Sequence, residues 1–223
     1  MSIFKTLQEK PWETPEAAGS VAVAQDFDPA KIAVRFIMAV VGVLFFLFII
    51  TFLARSQYPD FEALAGQPWQ PFSDATRLWI NTFILIFASV SIQFGVKRAR
   101  EQRQNAVVIG VSAAAFFSIL FLVAQLDLWR GMLAMGFYVH TNPANSYFYA
   151  LTGIHGLHLL GGLIVLANVV FRVWYDDKSS SMSRSLQHCA TYWHFMLGIW
   201  LVLFALLTSE SDTINTLAGL CGF

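Results

Sequence analysis

Charge is what this sequence has least of. Only 13% of its 223 residues are charged, where a soluble domain carries about 25%. The apolar residues do not read as one large buried core. They fall in five long blocks, each near the ~20 residues that a spanning helix needs. Mean hydropathy is +0.58. The deficit of charge thus excludes a soluble globular enzyme and points to a polytopic membrane protein. Net charge is +0, so nothing points to nucleic acid as a partner.

Cysteine is almost missing too. Cys189 and Cys221 lack metal-site spacing, and the fifth span between them puts them near opposite membrane faces, so no disulfide is expected. Residues 1–30 lack an apolar h-region, so a cleavable signal peptide is not expected and the first span acts as the insertion signal. No acidic residue falls inside a span; Asp127 sits at the outer end of the third. A proton relay needs intramembrane acids or histidines, so redox chemistry and pumping are not expected from this chain's own side chains. No internal repeat is visible, and the spans are neither charged nor broken, which disfavours a channel or transporter.

What is present predicts an all-α membrane bundle with five transmembrane helices, at 32–54, 78–96, 106–126, 147–171 and 189–207. Residues 1–31 form an N-terminal cytoplasmic or interfacial segment, 32–207 the membrane domain and 208–223 a periplasmic tail. Lys5, Lys10, Lys31, Arg35, Lys97, Arg98, Arg100, Arg103, Arg172, Lys178 and Arg184 fall on one side; Arg55, Arg77 and Arg130 fall on the other. The positive-inside rule then places the N-terminus in the cytoplasm and the C-terminus in the periplasm. Tyr58, Trp69, Phe72, Trp79, Trp129, Phe137 and Tyr138 read as an aromatic belt. The 127–146 connection is expected to hold a short re-entrant or interfacial helix. Asn142-Pro143-Ala144-Asn145 is a turn opening span four, with Asn145 or Ser146 as its N-cap.

Span four carries His155 and His158 on one helix face. One reading is a haem or metal site completed by His194 of span five. The other is structural: hydrogen bonds between helices, or contacts to lipid headgroups. Gly153, Gly156, Gly161 and Gly162 read as close-packing positions. Asn81, Gln93, Gln125 and Asn168 read as interhelical hydrogen-bonding residues. Tyr192-Trp193-His194-Phe195 opens span five, either as an interfacial aromatic cluster or as something more specific.

The more specific reading comes from a resemblance. Thr152-Gly153-x-His155-Gly156-x-His158, together with Tyr192-Trp193-His194-Phe195, resembles the last two helices of subunit III of the haem–copper terminal oxidases. Leu78-Trp79-Ile80-Asn81-Thr82 with Ser89-Val90-Ser91 is a weaker third match. The likeness covers about residues 32–207 and fits the five-helix bacterial form. It implies a non-catalytic subunit of a respiratory cytochrome c oxidase in the bacterial inner membrane. Haem and copper would lie in partner subunits I and II, with no catalytic residue, cofactor or metal in this chain. It also implies direct packing on subunit I, and phospholipids held in a cleft between the first helix and the other four. His155, His158, Trp193 and His194 are then candidates for helix or lipid contacts, and Arg172 and Arg184 for lipid phosphate. Two positions depart from the family: Gly42 stands where a carboxylate is usual, and Gln187 replaces the acid that often precedes the Tyr-Trp-His-Phe block. The other readings are an accessory protein of a nitric oxide reductase, subunit III of a quinol oxidase, and a free-standing haem enzyme.

Overall fold

A computed structural model describes residues 28–66, 70–175 and 180–223. Trp69, Lys178 and residues 1–27 lie outside the described residues. The described residues form six helices: α1 (Pro29–Arg55), α2 (Thr76–Arg100), α3 (Gln104–Ala134), α4 (Pro143–Tyr175), α5 (Ser180–Leu207) and α6 (Ser211–Leu220). The first five are long and apolar enough to cross a membrane. Among the described residues no strand occurs.

Local chemistry sets the helix ends. Asp28 caps α1, its carboxylate accepting from Ala30 N (3.1 Å) and Lys31 N (3.3 Å), and Pro29 stands at the first helical position. α2 ends on Lys97, Arg98 and Arg100, which complement the negative end of the helix dipole. The chain then reverses within three residues. Gln102 adopts φ +56°, and Arg103 N donates to Arg98 O at 3.1 Å, closing the helix end.

Two expectations about the 127–146 connection change. α3 continues to Ala134, so no separate re-entrant helix forms there; Asp127 and Arg130 end the hydrophobic run but not the helix. α4 starts at Pro143, and its cap is Asn142 rather than Asn145 or Ser146. Asn142 Oδ1 accepts from Ala144 N at 3.1 Å, and the same amide clamps the loop before α2 by donating to Glu62 O at 2.7 Å. The residues after α5 carry α6, which lays Ile214 and Ala218 against the end of α1.

α2, α3, α4 and α5 pack as a ring, each against two neighbours, while α1 stands outside it against α4, α5 and α6. α2 and α3 come closest. A Cβ on Gly110 would lie 2.8 Å from Gly95 N and 2.9 Å from its Cα, so the two backbones touch and only glycine fits. Among the glycines singled out in span four, Gly162 is the close one, where a Cβ would meet Tyr192 at 2.8 Å. Gly153 and Gly156 leave ordinary contact distances, and Gly161 faces open space.

Three tryptophans stitch the ring in the same manner. Trp193 Nε1 donates to Ser118 Oγ (2.9 Å), Trp200 Nε1 to Thr82 Oγ1 (3.0 Å) and Trp129 Nε1 to Thr152 Oγ1 (3.1 Å). Each hydroxyl in turn donates to the carbonyl four residues earlier on its own helix. Trp193 and Trp200 thus bury their area without orphaning an N–H that nothing else at that depth would satisfy, and half-buried Trp129 ties α3 to α4 in the same way near the span end. Asn81 Nδ2 donates to Gln125 Oε1 at 2.9 Å, an interhelical bond as expected, whereas Asn168 returns its amide to Ile164 O of its own helix. Tyr58, Trp79 and Tyr138 are exposed, as a belt requires, but Phe72 is buried against Phe148 with ring centroids 5.1 Å apart.

Candidate functional site

α4 brings His155 to the point where four helices meet. Its ring stands 5.2 Å from Trp200 of α5, 5.9 Å from Phe121 of α3 and 6.2 Å from Phe45 of α1, between centroids. It is fully buried, and neither ring nitrogen has a partner among the described residues. His158 lies nearly one turn on. Its Nδ1 is 2.8 Å from Ile154 O and so donates to it, and its ring is 5.8 Å from Phe45. Tyr192 of α5 donates its hydroxyl to His158 O at 3.1 Å.

Tyr192-Trp193-His194-Phe195 does not lie at the start of a helix. α5 begins at Ser180, so the block sits more than three turns inside, and Trp193 is buried at 1% exposure. His194 faces outward between α5 and α2. Its Nε2 is 3.1 Å from Gln93 Oε1 and its Nδ1 is 2.5 Å from Ser89 Oγ. In the neutral ring, Nε2–H donates to Gln93 and Nδ1 accepts from Ser89. The three histidines therefore do not converge: His158 and His194 bond to separate partners, and the His155 ring nitrogens have none among the described residues. Among the described residues no group of three His, Cys, Asp or Glu side chains stands close enough to hold a metal ion.

Where α1 and α5 begin, they enclose a cavity of about 430 Å³ lined by Asp28, Lys31, Arg35, Arg184, Gln187 and His188 among others. Lys31 and Arg35 project from α1 at i and i+4, and Arg184 and His188 from α5 at the same spacing, so each pair shares a helix face. His188 Nε2 lies 3.3 Å from Asp28 Oδ2, tying the two helix starts together. Three fixed cations against one carboxylate make a site for an anion such as phosphate. Arg172, exposed near the end of α4, does not line this cavity. Lys31, Arg35 and His188 were not singled out as phosphate ligands from the sequence; the paired i, i+4 spacing was the available signal. Gly42 is half-buried on α1, where an added Cβ would meet only Phe195 at 3.8 Å, so the backbone leaves room for a larger residue.

The sequence model of the family described as cytochrome c oxidase subunit III matches residues 21–209. A cytochrome c oxidase subunit 3 from Thermostichus vulcanus is 28% identical over 174 residues, covering 75% of this chain and 85% of the relative. A probable cytochrome c oxidase subunit 3 from Mycobacterium tuberculosis is 27% identical over 164 residues, covering 72% and 77%. A cytochrome bo(3) ubiquinol oxidase subunit 3 from Buchnera aphidicola is 23% identical over 129 residues, covering 58% and 63%.

Proposed function

The chain belongs to the cytochrome c oxidase subunit III family, and we propose that it serves as the non-catalytic subunit III of a respiratory haem–copper oxidase in a bacterial inner membrane. The observation that carries this reading is the family match over most of the chain. The complex reduces oxygen to water and pumps protons with haem and copper held in subunits I and II. This chain packs on subunit I and keeps it stable during turnover. The N-terminus is cytoplasmic, since Lys31, Arg35, Lys97, Arg98, Arg100, Arg103, Arg172 and Arg184 cluster at the end where α1 starts, against Arg55, Arg77 and Arg130 at the other. The cavity between the starts of α1 and α5 on that side takes a phospholipid phosphate between Lys31, Arg35 and Arg184.

The ubiquinol oxidase relative supports a second reading, subunit III of a quinol oxidase. Deletion of the chain tests the role. Membranes lacking it should start oxygen consumption normally and lose it during turnover, and re-expression should restore the lifetime. An unchanged lifetime would refute the stabilising role. Comparing reduced cytochrome c with a quinol as donor separates the two readings.

A further inference from the structure

The face between α2 and α5 does not look like a surface made for lipid. From Phe36 to Leu47 the exposed side chains of α1 are Phe36, Ile37, Ala39, Val40, Val43, Phe46 and Leu47, all hydrocarbon. Across its middle, α3 exposes Ile109, Phe116, Ile119, Leu120, Val123 and Leu126. On the α2–α5 face, by contrast, exposed His194 and Gln93 join Ser89 along a groove of about 640 Å³ that runs to Lys97 and Arg100. At 1.5 Å per residue, Gln93 is about 10 Å and Ser89 about 16 Å from the level of Arg100. Ser89 is therefore near mid-bilayer, in a hydrocarbon layer about 30 Å thick. With its Oε1 accepting from His194, Gln93 presents amide N–H donors that have no recorded partner among the described residues. Acyl chains cannot satisfy them.

Two further observations favour a protein neighbour. Gly198 lies one turn beyond His194 on the exposed face of α5, and a Cβ there would meet nothing within 4 Å. An exposed glycine at mid-depth lets another helix approach closely. At the mouth of the groove Arg100 takes part in no ion pair among the described residues, and Lys97 only adds its field to Glu101, which Arg98 and Arg103 hold at contact distance. We infer that the α2–α5 groove is the docking face for a transmembrane helix of a partner oxidase subunit. That helix lies against Gly198, accepts a hydrogen bond from Gln93 and carries an acidic side chain at the level of Lys97 and Arg100. The identity of the partner rests on the oxidase reading above; the location of the face does not.

The test uses the intact complex in native membranes. A benzophenone amino acid replaces Val90, which lines the groove and is 59% exposed, or, as the comparison, Phe116 on the exposed face of α3. After irradiation, the Val90 probe should join a haem–copper oxidase subunit identified by mass spectrometry, and the Phe116 probe should join lipid. In parallel, Gly198→Leu should lower co-purification with the oxidase at least tenfold while the chain's membrane abundance stays unchanged. A Val90 probe that captures phospholipid while oxidase subunits still co-purify would overturn the docking face and leave the oxidase reading intact. Full retention of Gly198→Leu would overturn it equally. A chain that co-purifies with no oxidase subunit under any condition would instead refute the oxidase reading.

Discussion

Replacing Gly110 by alanine tests the packing at its tightest point. The new methyl would stand 2.8 Å from Gly95 N, 2.9 Å from Gly95 Cα and 3.0 Å from Ser91 O, all backbone atoms that cannot rotate away. α2 and α3 would have to separate by several tenths of an ångström. They are joined by a three-residue turn at one end and by the Asn81–Gln125 bond further along, so the strain has little room to spread. Overpacking of this kind costs about 1–3 kcal/mol. Alanine also gains about 1 kcal/mol of helix propensity over glycine, which hides part of the cost. Gly161→Ala supplies the correction: its methyl meets nothing within 4 Å, so it carries the propensity gain alone. The difference between the two variants isolates the close contact and should be about 1–3 kcal/mol. Equilibrium unfolding in mixed micelles, followed by tryptophan fluorescence, measures it. Equal stability of the two variants would refute the claim that the two backbones touch.

Three other outcomes follow from the same packing. A double-mutant cycle of Trp193→Phe and Ser118→Ala should give a coupling of about 0.5–2 kcal/mol, the range for hydrogen bonds between membrane helices; a zero coupling in the same unfolding assay would remove the indole–hydroxyl tie. His155→Ala should cost about 2–4 kcal/mol, because it empties the space between Phe45, Phe121 and Trp200 and so loosens four helices at once; a loss no larger than that of a surface alanine would contradict its central placement. The Asp60 carboxyl is held below the usual carboxylate range by its hydrogen bonds to Arg55. A depressed pKa stabilises the folded form above the unfolded value and loses that contribution as pH falls through the folded one. Hydrogen exchange in residues 56–62 should therefore rise on acidification below about pH 4, and Asp60→Asn should show the raised exchange already at neutral pH.

Most of the architecture was legible because a bilayer imposes a simple requirement on composition. The five apolar blocks became α1 to α5, and the Lys97–Arg103 cluster marked a turn between two of them. The helix ends were less legible. Hydropathy stops where polar residues begin, but the helix ladder does not: Asp127 and Arg130 continue α3, and the polar stretch before Cys189 already belongs to α5. That extension is why Trp193, read as opening a span, is buried inside one. The glycines show a second limit. Gly161 and Gly110 look alike in one sequence, and only the approach of a neighbouring backbone makes the second indispensable. The histidines show a third. Spacing put His155 and His158 on one face, but it could not say that His155 stands among three aromatic rings while His194 pairs with Ser89 and Gln93. Likewise, Lys31, Arg35 and Arg184 come together only because α1 and α5 begin side by side.

The most direct measurement is purification of the tagged chain in mild detergent, with mass spectrometry of the co-purifying subunits and a reduced-minus-oxidised spectrum. Recovery is expected with a haem–copper subunit I and with subunit II, the haem bands staying with subunit I when this chain is stripped away. Recovery of the chain alone with stoichiometric haem would contradict the oxidase reading, and would make His155, His158 and His194 the ligands to replace.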